Sequence, residues 1–188
     1  MVKRFMPILA LTVSCWLVLG LDDLVLQGKL VRCGILPRHL SGLTGIIWAP
    51  FIHGSVRHLA ANTLPLLVMG AVICACGRSE FIFVTVVGIA FGGSLTWLVG
   101  RSAYHIGASG LIFCYFGYLS SLAWFRRSFG TLCLSVVCVL AYGGILRGLM
   151  PASAGVSWES HIAGLITGVV IAAVMAKFKM PSGAPRNT

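Results

Sequence analysis

Acidic residues are scarce in this chain, which has four aspartates and glutamates against 14 lysines and arginines in 188 residues. Charged residues of both signs make up 10% of the chain, and 58% of its residues are hydrophobic. A soluble domain of this length carries about 25% charged residues. So few charges cannot cover a surface that faces water, and the composition therefore predicts that most of the chain faces lipid.

Motifs for binding metals and nucleic acids are also lacking. The chain has no His-Glu-x-x-His and no Cys-x-x-Cys, and acids that would complete a zinc site are few, which argues against a zinc protease. Six of the seven cysteines lie inside apolar runs, where cysteine behaves as a small hydrophobe. The basic residues are scattered singly, which favours anchoring at lipid headgroups over binding of nucleic acid. We expect no metal and no cofactor.

Apolar runs long enough to cross a bilayer, which takes about 20 residues, recur along the chain. Because lipid offers no partner to an open backbone, each run is predicted to be a helix. The prediction is a single all-α membrane domain over residues 1–180, a bundle of six transmembrane helices, followed by a disordered tail at 181–188. The predicted spans are about 5–24, 58–76, 81–99, 109–125, 129–146 and 161–178.

The longest linker, residues 27–50, is half apolar and punctuated by glycines, and we expect it to pack in the membrane interface. Six spans place both termini on one side of the membrane. Eight of the 14 lysines and arginines fall on that side and six on the other. The excess of basic residues predicts a multi-pass protein of the cell membrane with both termini in the cytoplasm.

Polar side chains stand at the starts of alternate predicted helices, where lipid makes them costly. His58 and Asn62 are one turn apart on the second helix, Ser109 opens the fourth, and His161 opens the sixth. Even-numbered helices all begin on the side opposite the termini. The four side chains are therefore predicted to lie at similar depth near one membrane surface.

These four residues have the chemistry for acyl transfer. Ser109 is a candidate nucleophile at a helix N-terminus, and His161 is the candidate base that takes its proton. His58 and Asn62 can donate hydrogen bonds to an oxyanion. No carboxylate is well placed to orient His161, although Asp22 and Asp23 stay open as candidates, and we predict a Ser–His dyad.

Glycines recur beside these residues. Gly164 lies about one turn after His161, and a small residue at every fourth position lets membrane helices approach closely. We expect this contact to bring the sixth helix against the fourth. The glycines expected to pack helices are Gly164, Gly168, Gly107 and Gly110.

Three stretches together resemble the rhomboid family of intramembrane serine proteases, in its compact six-helix bacterial form. They are His53-Gly54-Ser55-Val56-Arg57-His58-Leu59-Ala60-Ala61-Asn62, Gly107-Ala108-Ser109-Gly110 and His161-Ile162-Ala163-Gly164. The resemblance covers about residues 34–168. It implies Ser109 as nucleophile, His161 as general base, and an oxyanion site of His58, Asn62 and the Ser109 N–H. It also implies a cavity open to the outer side, single-pass membrane proteins as substrates, and no cofactor.

The chain departs from the family pattern in two places. Trp48-Ala49-Pro50 stands where many members have a Trp-Arg pair, so Arg32, Arg38 and Arg57 are open candidates for anchoring the first loop. Phe113 stands where many members have a tyrosine stacked on the histidine. It keeps the ring face and loses the hydroxyl, and we expect it to tune activity without abolishing it.

Other interpretations compete with catalysis. Gly-Ala-Ser-Gly taken alone is more typical of helix packing, and a lone membrane histidine is more often structural. A small transporter or channel, or a rhomboid relative that binds membrane clients without cutting them, would also carry polar residues within spans. Among the remaining histidines, His53 and His105 are predicted to be structural or interfacial, and His39 to be solvated.

Overall fold

The protein folds into a helical bundle in a computed structural model that describes residues 2–151 and 156–178. Its helices are α1 (Val2–Leu21), α2 (Gly45–Trp48), α3 (Val56–Cys76), α4 (Arg78–Val87), α5 (Gly93–Val99), α6 (Ser109–Arg126), α7 (Phe129–Tyr142) and α8 (Trp158–Lys177). Within those described ranges the only β-type pairing is an isolated bridge between Ile35 and His105. The predicted all-α bundle is confirmed; the predicted tail at 181–188 lies outside the described residues.

Five segments of the described chain are long and apolar enough to cross a membrane. They are Lys3–Leu26, Val56–Cys76, Arg78–Val99, Phe129–Leu149 and Trp158–Lys177. Three of these segments include irregular turns. A π-helical turn (Asp22–Leu26) follows α1, and another (Gly88–Gly92) joins α4 to α5. A 3-10 turn (Gly143–Leu149) follows α7.

Helix α6 is the centre of the bundle. It has 18 residues, and ten of them, from Leu111 to Leu122, are buried. The other helices shield it from lipid, so it tolerates polar groups that an outer helix would not. Tyr115, for example, is fully buried and its hydroxyl pairs with that of Thr85 at 2.7 Å.

Helix α8 packs on α6 through glycines, at backbone distance. A Cβ atom at Gly164 would collide with the carbonyl oxygen of Gly110, and one at Gly168 would collide with that of Cys114. On the facing helix, a Cβ at Gly117 would strike the backbone of Leu165. Such close approach is what small residues permit between membrane helices.

The first loop, residues 27–50, is folded and not extended. It contains 3-10 turns at Lys29–Cys33 and Leu40–Gly42 and the short helix α2. Arg38 donates hydrogen bonds to the carbonyl oxygens of Leu98 (3.2 Å) and Gly100 (2.7 Å), so it pins the loop to the end of α5. Of the three arginines left open from the sequence, Arg38 is the one with these contacts.

Candidate active site

Ser109 and His161 meet where the first residue of α6 faces the first turn of α8. His161 Nε2 lies 2.9 Å from Ser109 Oγ, and His161 Nδ1 lies 2.8 Å from the carbonyl oxygen of Gly148. A carbonyl oxygen only accepts, so Nδ1 carries the hydrogen and Nε2 is free to accept from the serine hydroxyl. That tautomer is the one in which histidine can take the serine proton.

The imidazole of His161 is also held by its faces. The ring of Phe113 stacks on it with centroids 4.3 Å apart and planes inclined by 11°. Phe113 follows Ser109 by four residues, which places both side chains on one face of α6. One turn of α6 therefore supplies both the hydroxyl and the surface that fixes the plane of its histidine partner.

His58 and Asn62 lie beside Gly107, two residues before Ser109. A Cβ atom at Gly107 would be 2.9 Å from His58 Nε2 and 3.7 Å from Asn62 Nδ2. Gly107 has a φ of 103°, a conformation that disfavours any side chain, so this close approach needs glycine. Asn62 is buried, and its Nδ2 has no hydrogen-bond partner among the described residues. A buried, unpaired donor beside the serine can stabilise a developing negative charge by donating a hydrogen bond to it.

His53 supports the loop that leads to Ser109. Its Nδ1 lies 3.3 Å from the Phe51 carbonyl oxygen, and its Nε2 accepts the backbone N–H of Ala108 at 3.2 Å. Burial and the neighbouring His58 lower the pKa of His53 to about 4, so it stays a neutral acceptor. His53 is thus in direct contact with the loop that leads to Ser109.

A cavity of about 580 Å³ opens over the serine. Its walls come from the starts of α3, α6 and α8 and from the loop before α6. They include Ser55, His58, Asn62, Arg101, Ala103, Tyr104, His105, Ile106, Ser109, Ser157 and His161. Most of these side chains are polar. The cavity can therefore hold water and a strand of polypeptide beside Ser109 and His161.

Two features of this site were not predicted from the sequence. The Gly148 carbonyl occupies the place that a carboxylate would take beside His161 Nδ1, and no side-chain pattern signals a backbone acceptor. The pairing of Glu159 with Arg101 at 3.2 Å joins residues that are 58 positions apart, and no sequence pattern signals it. Asp22, an open candidate for orienting His161, accepts the backbone N–H of Leu30 instead.

No group of three or more His, Cys, Asp or Glu side chains in residues 2–151 and 156–178 has the arrangement of a metal site. All seven cysteines lie in that part of the chain and are free thiols there. The described polar side chains at the cavity are serines, histidines, one asparagine, one tyrosine and one arginine. Serine and histidine side chains suit nucleophilic and acid–base chemistry.

Sequence comparisons agree with this architecture. The model of the Rhomboid domain family matches residues 40–178. An uncharacterised protein of Mycobacterium tuberculosis is 40% identical over 152 residues, which are 76% of this chain and 63% of that protein. A second, from Mycobacterium leprae, is 41% identical over 165 residues, covering 83% of this chain and 65% of its own length. This chain thus spans less than two thirds of the length of these mycobacterial relatives.

A more distant relative carries the family's name. A protein of Acanthamoeba polyphaga mimivirus, named as a rhomboid protein, is 27% identical over 145 residues, which are 73% of this chain and 76% of that protein. The family match covers the second of the two first-loop turns, Leu40–Gly42, the cavity and all helices from α2 to α8. With its apolar helices, the chain is a multi-pass membrane protein that belongs to the rhomboid family.

Proposed function

We propose that this protein is an intramembrane serine endopeptidase that hydrolyses peptide bonds in or near the transmembrane segments of membrane proteins. The observation that carries the proposal is the 2.9 Å contact between Ser109 Oγ and His161 Nε2 at the floor of a polar cavity. Serine is a weak nucleophile unless an adjacent base takes its proton. The Gly148 carbonyl and the Phe113 ring support His161 as that base, because they fix its tautomer and its plane.

The first chemical step is attack of Ser109 Oγ on the substrate carbonyl carbon. His161 Nε2 takes the hydroxyl proton as the bond forms, and it then passes this proton to the leaving amine. The Gly148 carbonyl accepts from Nδ1–H throughout and stabilises the imidazolium that forms in between. A Ser–His dyad with a backbone acceptor can run this sequence without a third carboxylate.

The carbonyl oxygen of the substrate becomes an oxyanion during attack. Asn62 Nδ2, the ring N–H of His58 and the backbone N–H of Ser109 are the donors we assign to it. The N–H groups of the first helical turn have no partner within their own helix, and the positive end of the α6 dipole favours negative charge there. Asn62 supports this assignment most directly, because its buried amide has no partner among the described residues.

The second step needs water, since the acyl-enzyme is released by hydrolysis. The cavity of about 580 Å³, which Ser109 and His161 line, is the route we propose for that water. His161, neutral again after the leaving group departs, takes a proton from that water and returns it to Ser109 Oγ. A cavity lined by polar side chains in a largely apolar chain is thus accounted for by hydrolysis.

Single-pass membrane proteins are the proposed substrates, and the lipid bilayer is the proposed medium of encounter. A cavity at the starts of α3, α6 and α8 lies near one membrane surface and suits cleavage near the end of a substrate helix. We place the protein in the cell membrane with both termini in the cytoplasm, because lysines and arginines are more numerous on that side. The cavity then opens on the outer side.

The test is cleavage of a model single-pass substrate by the purified protein in liposomes. We expect Ser109→Ala and His161→Ala each to lower turnover by at least about 10³-fold, because nucleophile and base act as a unit. Ser120→Ala is the matched control, since Ser120 lies on the same helix and donates only to the Gly117 carbonyl. Equal cleavage by wild type and both site variants would refute the dyad. Binding of substrates without cleavage would favour a client-binding role.

A further inference from the structure

A second polar cluster borders the cavity and joins two segments that are distant in sequence. We call it the α8 junction; it consists of Arg101, His105, Ser157, Glu159 and Ser160. The first two residues belong to the loop before α6, and the other three belong to the start of α8. The proposed catalytic chemistry uses none of these side chains, yet His105 precedes Ser109 by four residues and Ser160 directly precedes His161.

The charged half of the junction is Arg101 and Glu159. Arg101 Nη1 lies 3.3 and 3.2 Å from the two carboxylate oxygens of Glu159, and the Arg101 backbone N–H donates to the same carboxylate at 3.3 Å. Arg101 Nη2 donates to the Val156 carbonyl at 2.7 Å. One arginine thus holds both the segment that leads into α8, at Val156, and the first turn of α8, at Glu159.

The neutral half of the junction is His105 with two serines. His105 Nε2 lies 3.1 Å from the Arg101 carbonyl oxygen, so Nε2 carries the hydrogen and Nδ1 accepts. The hydroxyl of Ser157 is hydrogen-bonded to Nδ1, and Ser160 Oγ lies 3.4 Å from the same nitrogen and 2.7 Å from Ser157 Oγ. His105 is buried, which lowers its pKa and keeps it in this neutral form.

The backbone of His105 extends the junction to a third segment. Its N–H donates to the Ile35 carbonyl at 2.8 Å, and its own carbonyl accepts the Ile35 N–H at 3.0 Å. Two residues later, the Gly107 N–H donates to the Ala49 carbonyl at 2.8 Å. The first loop, the loop before Ser109 and the start of α8 are therefore tied together at His105.

This geometry bears on the distance between Ser109 and His161. Glycine contacts fix how closely α6 and α8 approach from Gly164 onward, whereas the first turn of α8 precedes these contacts, and helix ends fray. We propose that Arg101, His105 and Glu159 are positioning residues, which hold the first turn of α8 on the loop before α6 and so align His161 with Ser109. The inference rests on the proposed protease function and adds residues that act through His161.

Alignment has a kinetic signature that mere stabilisation lacks. A displacement of about 1 Å between reacting groups can cost as much as 10²-fold in rate. Loss of the junction should therefore lower kcat while KM changes little. It should also slow the reaction of Ser109 with a small fluorophosphonate, in which Oγ bonds to phosphorus, fluoride leaves and His161 takes the proton.

The experiment compares Glu159→Ala and His105→Ala with a matched variant, Glu80→Ala. Glu80 also pairs with an arginine, Arg126 at 3.1 Å, but at the other end of α6. We expect kcat and the rate of Ser109 labelling to fall about 10-fold or more in both junction variants, with KM within about two-fold. Glu159→Gln keeps an acceptor oxygen and should recover part of the rate. Glu80→Ala should lower the melting temperature and leave both rates within about two-fold.

A third variant, which removes only hydroxyl groups, keeps the test decisive if Glu159→Ala or His105→Ala fails to fold. The double change Ser157→Ala with Ser160→Ala leaves His105 Nδ1 without its hydroxyl donors, and it should also slow labelling of Ser109. Wild-type kcat and labelling in this variant and in Glu159→Ala would overturn the positioning role. So would equal slowing by Glu80→Ala. If wild-type Ser109 reacts with neither fluorophosphonate nor any substrate, the protease proposal fails and takes the positioning role with it.

Discussion

The two ends of helix α6 carry similar chemistry with different surroundings. Each end has one buried carboxylate paired with one arginine, Glu159 with Arg101 near Ser109 and Glu80 with Arg126 at the helix end. About 26 Å of helix separates Ser109 from Arg126 at a rise of 1.5 Å per residue. We call these the serine end and the opposite end.

At the opposite end the ion pair is closed off. Glu80 is 1% exposed, and its Oε1 accepts from the Tyr118 hydroxyl at 2.5 Å and from Arg126 at 3.1 Å. Arg126 also donates to the Tyr118 hydroxyl at 2.8 Å. These contacts join the start of α4 to the end of α6 through a triangle of side chains, in which Arg126 is partly exposed and Glu80 Oε2 has no hydrogen-bond partner among the described residues.

At the serine end the ion pair borders the cavity. The side chain of Arg101 is 40% exposed, twice the 20% of Arg126. Its contacts reach the backbone as well as the carboxylate, and they join a loop to a helix start. The ion pair at the opposite end is therefore expected to contribute mainly to the free energy of unfolding. The ion pair at the serine end is more exposed, so it is expected to contribute less to stability and to leave a polar surface accessible.

Glu80→Ala is expected to have the largest effect on stability. It leaves the guanidinium of Arg126 largely buried and without this carboxylate, and breaking such a pair costs about 3–5 kcal/mol. Because Arg126 is one-fifth exposed, the loss should lie near 3 kcal/mol, while turnover per folded molecule stays within about two-fold. Unfolding in mixed micelles and cleavage of a model substrate measure the two quantities. A parallel fall in turnover would show that the two ends are coupled.

Asn62→Ala should produce the reverse pattern at the serine end. Losing one oxyanion donor costs about 10²–10³-fold in turnover, or about 2.7–4 kcal/mol in the transition state. Stability should hold or rise, because the change removes a buried amide group that has no partner among the described residues. Steady-state kinetics and thermal unfolding of the same preparation test this. A variant that loses stability but keeps its turnover would show that Asn62 is a structural residue.

The serine end was the easier of the two to predict from the sequence. Polar residues in apolar runs are conspicuous, and counting spans puts His58, Ser109 and His161 on one side of the membrane. Distances could not be predicted in this way, because they depend on backbone contacts such as that of Gly164 with Gly110. The acceptor for His161 is a backbone carbonyl, which every residue has and no pattern singles out.

The opposite end gave almost no sequence signal. Glu80 and Arg126 are 46 residues apart and lie in short polar turns, where a solvated position is the ordinary expectation. In the sequence, nothing distinguishes Tyr118 from the other aromatic residues within the predicted spans. Only packing of α4 against α6 brings the three together. Clusters that form across distant segments without a motif need the fold before they can be recognised.

Acid should weaken the serine end through His53. Its pKa is about 4 in the folded protein because of burial and the nearby His58, against 6.5 for the free side chain. The unfolded chain binds more protons between these values, so the stability that neutral His53 contributes is complete above pH 6.5 and falls as pH drops toward 4. The expected loss from this residue is about 2 kcal/mol between pH 6.5 and 5.

His53→Gln is the variant that isolates this effect, since glutamine does not titrate and can still accept the Ala108 N–H. The unfolding free energies of wild type and variant should differ at pH 7, and the difference should shrink as pH falls to 5, because only the wild type loses the contribution of neutral His53. Equal pH slopes for the two proteins would show that His53 does not titrate in this way. Glu80→Ala, changed at the opposite end, should keep the slope of wild type.

The smallest effect is expected from Phe113→Tyr. The Phe113 ring stacks on His161 at 4.3 Å, and tyrosine offers the same face with an added hydroxyl. The stack itself is worth about 0.5–1.5 kcal/mol, and the substitution preserves it. Turnover should therefore change by no more than about three-fold, whereas Phe113→Ala should lower it about 10-fold, because the imidazole plane is released. If Phe113→Tyr lowered turnover as much as Phe113→Ala, the added hydroxyl would have to clash with neighbouring atoms at the edge of the ring.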